Sequence, residues 1–404
     1  MERFALSRMK EWKENENRKP LIIRGARQVG KTWIMKTFGQ QYFEKTAYVN
    51  FDNNARMKQV FEGDLDIERL VLSISAETGV SIEAENTLII FDEVQEVPKA
   101  LTSLKYFYEN APQYAIVAAE SLLGVALHQG TSFPVGKVDF LDLYPLNFRE
   151  FLCAMGEKQF VSMLDSCDTQ MVTVFKTKYI ERLREYYFVG GMPEVVKDFS
   201  EKKDYNRVRA IQKNLINYYQ QDFSKHAEIK LVPRLNLVWN SIPMQLAKEN
   251  KKYIYGQVRE GSRAKDFELA IQWLLDCGLI YKVQRIQKPD LPLKAYIDFD
   301  AFKLFLVDIG LLIAMTDLDA KVIIEGNKIF TEFKGALTEQ YILQQLISDV
   351  GVIPYYYSTQ NSKGEIDFLV QGKTSVIPIE VKAEENLKAK SLKAFCEKYQ
   401  PSYA

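Results

Sequence analysis

The chain has 404 residues, 47% of them hydrophobic, with 53 Lys and Arg against 53 Asp and Glu. That length suits two or three domains with ordinary cores, at roughly 150 residues each, and the zero net charge excludes a global attraction to nucleic acid or anionic membrane, leaving only local patches. Four scattered cysteines (Cys153, Cys167, Cys277, Cys396) and two histidines (His128, His226) argue against a structural zinc site and read as reduced thiols of a cytoplasmic protein.

The charged start, MERFALSRMKEWKENENRK, lacks the apolar stretch of a signal peptide. No apolar run reaches the ~18 residues that a membrane span needs, so no membrane association is expected. Residues 4–14 predict a short amphipathic helix with Phe4, Leu6, Met9 and Trp12 as its apolar positions. Pro20 then opens a buried strand, Leu21–Ile23, followed by a glycine-containing loop and a helix from about Lys31 to Phe38. Further strands are expected at Ala47–Phe51, Thr87–Phe91, Tyr114–Ala119 and Val138–Leu143. Strands alternating with helices predict an α/β fold with a parallel sheet.

Gly25, Ala26, Arg27, Gln28, Val29, Gly30, Lys31 and Thr32 fit GxxxxGK[ST] at every fixed position, between a strand and a helix. In such a loop the backbone N–H groups turn toward phosphate oxygens, and the helix N-terminus adds partial positive charge. Lys31 is then expected to reach the β- and γ-phosphates of ATP, and Thr32 to offer its hydroxyl to Mg²⁺. Some 60 residues on, an apolar strand ends in Asp92-Glu93. Ligands bind at that edge of an open α/β sheet, so Asp92 is expected to hold Mg²⁺ and Glu93 to act as general base on the attacking water. Lys31, Asp92 and Glu93 are the expected catalytic set. Ser121, at the end of the next strand, is the candidate γ-phosphate sensor, with a helix N-cap as its plainer role.

Several segments together resemble a bacterial and archaeal family of AAA-like ATPases: IIRGARQVGKT, IIFDEVQ, SLLGVAL, YPLNFREF and Tyr187–Glu194, the last containing GGMPE. The resemblance covers essentially the whole chain. It implies an AAA+ type P-loop NTPase domain over residues 1–150, a helical lid or linker over 151–225 and a winged-helix-like domain over 226–330. A small α/β module over 331–404, of uncharacterised function in the family, is expected to resemble a PD-(D/E)xK nuclease. It also implies a homo-oligomer. Two departures stand out. Glu120 precedes Ser121 where relatives carry Gly-Ser, and Lys137 stands where many carry Arg. Arg149, Arg182 and Arg184 are the nearest candidate cations for an arginine finger.

After the helical run, 231–285 predicts two or three helices. One of them covers Ser262–Gln272, stops at Gly278 and enters a strand at Leu279–Val283. Tyr296–Phe299 and Lys303–Val307 are expected as paired strands. Lys251, Lys252, Arg259, Arg263 and Lys265 are the cations placed to meet phosphates of double-stranded DNA, with a solvated charged face as the equal alternative. Tyr218, Tyr219, Tyr253, Tyr255 and Tyr355–Tyr357 interleave with them, for base stacking or, more commonly, core packing. A helix near 332–348 precedes strands at Tyr355–Ser358, Ile366–Val370 and Val376–Val381.

In GEIDF…IEVK, Asp367 and Glu380 are expected to converge on Mg²⁺, with Glu339 as an added ligand. Lys382 is expected on the strand face of Glu380, two residues on, and Gln360 close by. Ordinary surface charges on a hairpin are the alternative. No closing element is legible before Ala404, so the last module reads as cut short. Three functions remain open: an ATPase coupled to a nucleic-acid module, a nucleotide-gated binding or scaffold protein with little turnover, and an ATP-regulated metal-dependent nuclease.

Overall fold

Apolar runs bounded by turn residues become the strands of the first sheet. The computed structural model describes residues 1–404 except 122–133, 249–250, 326–330, 360–363 and 384–388. The chain divides into two units, Met1–Tyr144 with Asp276–Gly278, and Pro145–Leu275 with Leu279–Ala404.

The first unit begins with helix α1 (Ala5–Glu14), which buries Met9 and Trp12. Strands β1 (Leu21–Gly25), β2 (Lys45–Asn50), β3 (Thr87–Asp92), β4 (Ala115–Ser121) and β5 (Asp139–Asp142) form a sheet in the order β2-β3-β4-β1-β5. Every pairing in it is parallel. Every residue of β3 is buried, which is why its sequence reads as an unbroken apolar run rather than an alternating one. Helices α2 (Lys31–Tyr42), α3 (Ala55–Glu62), α4 (Ile67–Thr78) and α5 (Pro98–Asn110) connect the strands. Their starts follow local chemistry. The Asn54 and Asp66 side chains accept from Met57 N–H and Arg69 N–H, and Pro98 opens α5 where its missing N–H costs nothing. Phe51, Phe61, Phe91 and Phe107 meet edge to face with centroids 5.4–6.5 Å apart, at the centre of one core.

The second unit is helical up to the helix Ala264–Asp276, as its sequence predicts. The segments YPLNF and FVGGMP meet within it. Leu146 N–H donates to Gly191 O at 2.7 Å, and Tyr186 Oη donates to Leu146 O at 2.6 Å. A Cβ on Gly191 would lie 2.1 Å from Leu146 O, and one on Gly190, whose φ is +73°, 2.2 Å from Asp308 Oδ1. Only glycine fits at either position. Buried Asp308 accepts from Gly191 N–H at 2.6 Å and caps the helix Ile309–Met315 through Leu311 N–H.

Strands β6 (Ile280–Ile286), β7 (Ile297–Leu306), β8 (Tyr355–Ser358), β9 (Glu365–Gln371) and β10 (Val376–Ile379) form a mixed sheet in the order β10-β9-β8-β6-β7. The segments expected as winged-helix-like and nuclease-like modules therefore contribute strands to one sheet. The paired strands expected at Tyr296–Phe299 and Lys303–Val307 are instead the single strand β7, both ends of which pair with β6. Gln284 faces Phe302 and Arg285 faces Asp298, so Phe299–Ala301 are extra residues. The interruption in the apolar pattern is a bulge, not a turn.

The helix expected near 332–348 is Thr331–Gln345, followed by a π-helical turn over Leu346–Val350. The last stretch, in which the sequence reading finds no element, holds the helix Lys390–Tyr399. Its Phe395 packs against Tyr357 with centroids 5.6 Å apart, and Tyr399 Oη lies 3.0 Å from Tyr357 Oη. The i, i+4 spacing of Phe395 and Tyr399 is the signal that reveals it. Among the described residues, no helix is long and apolar enough to cross a membrane.

Candidate functional site

Strand β1 delivers Gly25 to the C-terminal edge of the first sheet. A Cβ on Gly25 would meet Leu143 O at 2.3 Å, so the chain must carry glycine there. The loop then curls through Gln28 and Gly30, with φ of +65° and +95°, and enters α2 at Lys31. Buried Arg3 straps the loop, donating to Val29 O at 3.1 Å and to Tyr144 O at 2.6 Å. Sequence reasoning missed Arg3, because nothing in its local pattern marks a residue that folds back over 26 positions.

Lys31 is buried, and its ammonium donates to Gly25 O and Ala26 O, each at 2.9 Å. Burial lowers its pKa to about 8, against the opposing pull of Glu93 and Asp92. Thr32 Oγ1 donates to Asp92 Oδ2 at 2.7 Å, which brings the α2 hydroxyl and the β3 carboxylate together. Tyr48 Oη, from the neighbouring β2, donates to the same oxygen at 2.9 Å. Burial and the adjacent Asp92 push the Tyr48 phenol well above the ordinary tyrosine range. Glu93 N–H reaches Asp92 Oδ1 at 3.2 Å, and the Glu93 carboxylate accepts from Gln95 Nε2. Glu93 holds a left-handed backbone, φ +52°, uncommon for a non-glycine residue and found where strain serves a site.

Arg24 and Glu120 are partners in the register of β1 and β4. Arg24 also forms a two-point pair with Asp142, at 2.9 and 3.1 Å, and lies over the Phe140 ring. Burial raises Glu120 to about 7, while Arg24 and Lys31 pull it down. The acid that stands where the family resemblance implies glycine is thus beside two cations. Ser121 ends β4 opposite Gly25 in register; its side chain, residues 122–133 and Gln360 lie outside what the structure describes.

The loop of turned backbone, the ammonium at its mouth and the Thr32–Asp92 oxygen pair fit a nucleotide triphosphate with a hard divalent cation. The sheet, the loop and this oxygen pair have the fold of a P-loop domain of the AAA type. Residues 17–152 match the family described as AAA domain. Residues 180–322 and 334–403 match two domains of unknown function, DUF8612 and DUF4143. No curated protein matches the chain. Among solved structures, the Walker-type ATPase PABY2304 of Pyrococcus abyssi is 14% identical, covering 78% of this chain and 95% of its own, with a TM-score of 0.47. The RuvB Holliday junction branch migration motor of Thermotoga maritima is 10% identical, covering 69% and 87%, with a TM-score of 0.32. The Aeropyrum pernix ORC1 protein, solved in complex with DNA, is 12% identical, covering 77% and 91%, with a TM-score of 0.31.

The candidate finger cations have partners close by. Arg149 pairs with Asp165 and Asp349, Arg182 with Glu157 and Glu185, and Arg184 donates to Ile324 O. Lys137 pairs with Glu109 at 3.0 Å.

In the second unit, β9 places Glu365 and Asp367 on one face, as the two-residue period requires. Asp367 accepts from Val381 N–H at 2.7 Å. Burial and the Glu339 charge raise Asp367 to about 7. Glu380 lies beside them, but β10 ends at Ile379, so Lys382 does not share a strand face with it. Lys382 instead returns from the loop to pair with Glu380. Two lysines absent from the expected set enter the cluster. Buried Lys303 pairs with Glu365 and, at 3.5 Å, with Glu339; Lys251 pairs with Glu339. Burial acts to lower Lys303, but Glu339, Glu365 and Asp367 hold it above the ordinary lysine range. Burial pushes Glu339 up, and the two lysines outweigh it, leaving its pKa lowered. As it stands, this donor set does not fit a divalent metal, because lysines already supply the positive charge. Among the described residues, no group of three or more His, Cys, Asp or Glu is arranged to hold one.

Lys251 is thus withdrawn from the expected phosphate contacts, while Arg259, Arg263 and Lys265 are exposed. Tyr219, Tyr253, Tyr356 and Tyr357 are buried, which assigns them to packing, and Tyr218 is exposed.

Proposed function

We propose that the protein binds ATP with Mg²⁺, hydrolyses it, and couples nucleotide state to a nucleic-acid-associated second unit. The convergence of Lys31, Thr32, Asp92 and Glu93 on one sheet edge carries this reading. On binding, the Lys31 ammonium exchanges its two loop carbonyls for the β- and γ-phosphate oxygens. Thr32 and Asp92 would hold the metal, and Tyr48 fixes the Asp92 carboxylate by its hydrogen bond. When bound, Mg²⁺ supplies positive charge to the phosphate oxygens. Glu93 takes a proton from the water that attacks the γ-phosphorus, the bond from that phosphorus to the β–γ bridging oxygen breaks with the oxygen leaving on ADP, and Lys31 stabilises the charge that develops. Exposed Arg259, Arg263 and Lys265, at the start of the helix Ala264–Asp276, support a duplex-binding face in a winged-helix-like segment. Assembly with further copies, as the resemblance implies, would bring a cation to the γ-phosphate from a neighbour.

The test is Mg²⁺-dependent ATP hydrolysis by the wild type, Lys31→Ala and Glu93→Gln, with and without double-stranded DNA. Turnover by the wild type, loss in both variants and stimulation by DNA are expected. The Lys31 bonds to loop carbonyls and the buried acid of Glu120 favour a second reading, nucleotide-gated binding with little turnover. ATP binding without hydrolysis, equal in wild type and Glu93→Gln, would select it.

A further inference from the structure

The carboxylate cluster of the second unit takes its countercharge from a distant part of the chain. Lys303 lies on β7, opposite Val283 of β6. Its side chain is fully buried, 0% exposed, and reaches Glu365 at 2.5 Å and Glu339 at 3.5 Å. Its ammonium also sits 4.9 Å from the centre of the Tyr356 ring. Lys251 adds a second cation to Glu339. Buried carboxylates need such partners, since an uncompensated charge in the interior is strongly unfavourable.

We propose that Lys303, backed by Lys251, is the resident cation of the Glu339–Asp367–Glu380 centre. It occupies the electrostatic role that a divalent metal would otherwise fill, so the centre is a closed ion network that holds together without metal. Each acid is accounted for. Glu365 and Glu339 face Lys303, Glu339 also faces Lys251, Asp367 accepts from Val381 N–H, and Glu380 pairs with Lys382. A divalent ion approaching Glu339 would meet a fixed ammonium, and like charges at that range repel strongly in a buried site. Of the two buried carboxylate oxygens here with no hydrogen-bond partner, Glu339 Oε2 has the Lys303 ammonium at 3.5 Å, which leaves Glu380 Oε2. It is where a cation would add once Lys303 is removed. The inference is independent of ATP turnover. It makes the second unit's acidic strand pair a structural joint between residues 251–306 and 339–382, and not a phosphodiester-cleaving centre.

The experiment uses the full chain without nucleotide, with Mn²⁺ as probe, and follows thermal unfolding. Wild type should shift by less than about 1 °C in millimolar Mn²⁺, whereas Lys303→Met should melt lower and regain about 4 °C or more when Mn²⁺ is added. If Lys303→Met alone does not fold, the charge-balanced Lys303→Met/Glu365→Gln variant, which removes one charge of each sign and leaves Glu339 paired with Lys251, should unfold cooperatively without metal. Mn²⁺ stabilisation of the wild type that is lost in Asp367→Asn would overturn the proposal. So would a Lys303→Met protein as stable as wild type in metal-free buffer, or a charge-balanced variant that fails to fold.

Discussion

Glu120 is buried at the end of β4 with a pKa of about 7, well above the ordinary glutamate value of 4.5. Between those two values the folded chain keeps a proton that the unfolded chain gives up. Stability therefore falls as pH rises through this window, and the penalty is complete above about 7. Glu120→Gln removes the penalty. At pH 8 it should gain up to about 3 kcal/mol in urea unfolding, at about 1.4 kcal/mol per pKa unit, and at pH 4 it should gain almost nothing. Equal stability of the two proteins at pH 8 would mean that Arg24 and Lys31 already compensate the charge. The P-loop residues were legible because each has a backbone or charge duty tied to sequence spacing. Arg3, Tyr48 and Arg24 were not, since each reaches the site from a different stretch of chain.

At the scale of elements, glycine placement explains two of the segments that carry the family resemblance. Gly191 lets the Leu146 carbonyl approach, and Gly190 lets Asp308 approach. Gly191→Ala should cost about 3 kcal/mol or more, because its methyl group meets backbone rather than a movable side chain. Chemical denaturation compares it with Gly156→Ala, a glycine with open space around it but a positive φ of 82°. That control should lose only about 1 kcal/mol from backbone strain. Similar losses at both sites would place the Gly191 effect in the backbone and not in the approach of Leu146. The single strand β7 carries the same lesson. Ala301 is buried within it, so the apparent break is a bulge that only cross-strand pairing can reveal.

For the whole molecule, ligand linkage provides the check. Mg²⁺-ATP at about 100 times its Kd should stabilise the wild type by about 2.7 kcal/mol. Lys31→Ala should show almost none of this gain, since its phosphate partner is gone. A calorimetric scan with the non-hydrolysable analogue measures the difference, and an equal gain in both proteins would remove Lys31 from the binding site. By itself the sequence determined the parallel α/β sheet, the P-loop, the Asp92–Glu93 strand end and the acidic pair Asp367 and Glu380. Each of these follows from local period, turn chemistry or fixed spacing. Only the tertiary structure decided which cations face those acids, that β6 to β10 share one sheet, and that Lys382 leaves the strand. Such partners are chosen by burial and strand order, which bring together residues as far apart as Lys251 and Glu339 and leave no mark on the sequence around either.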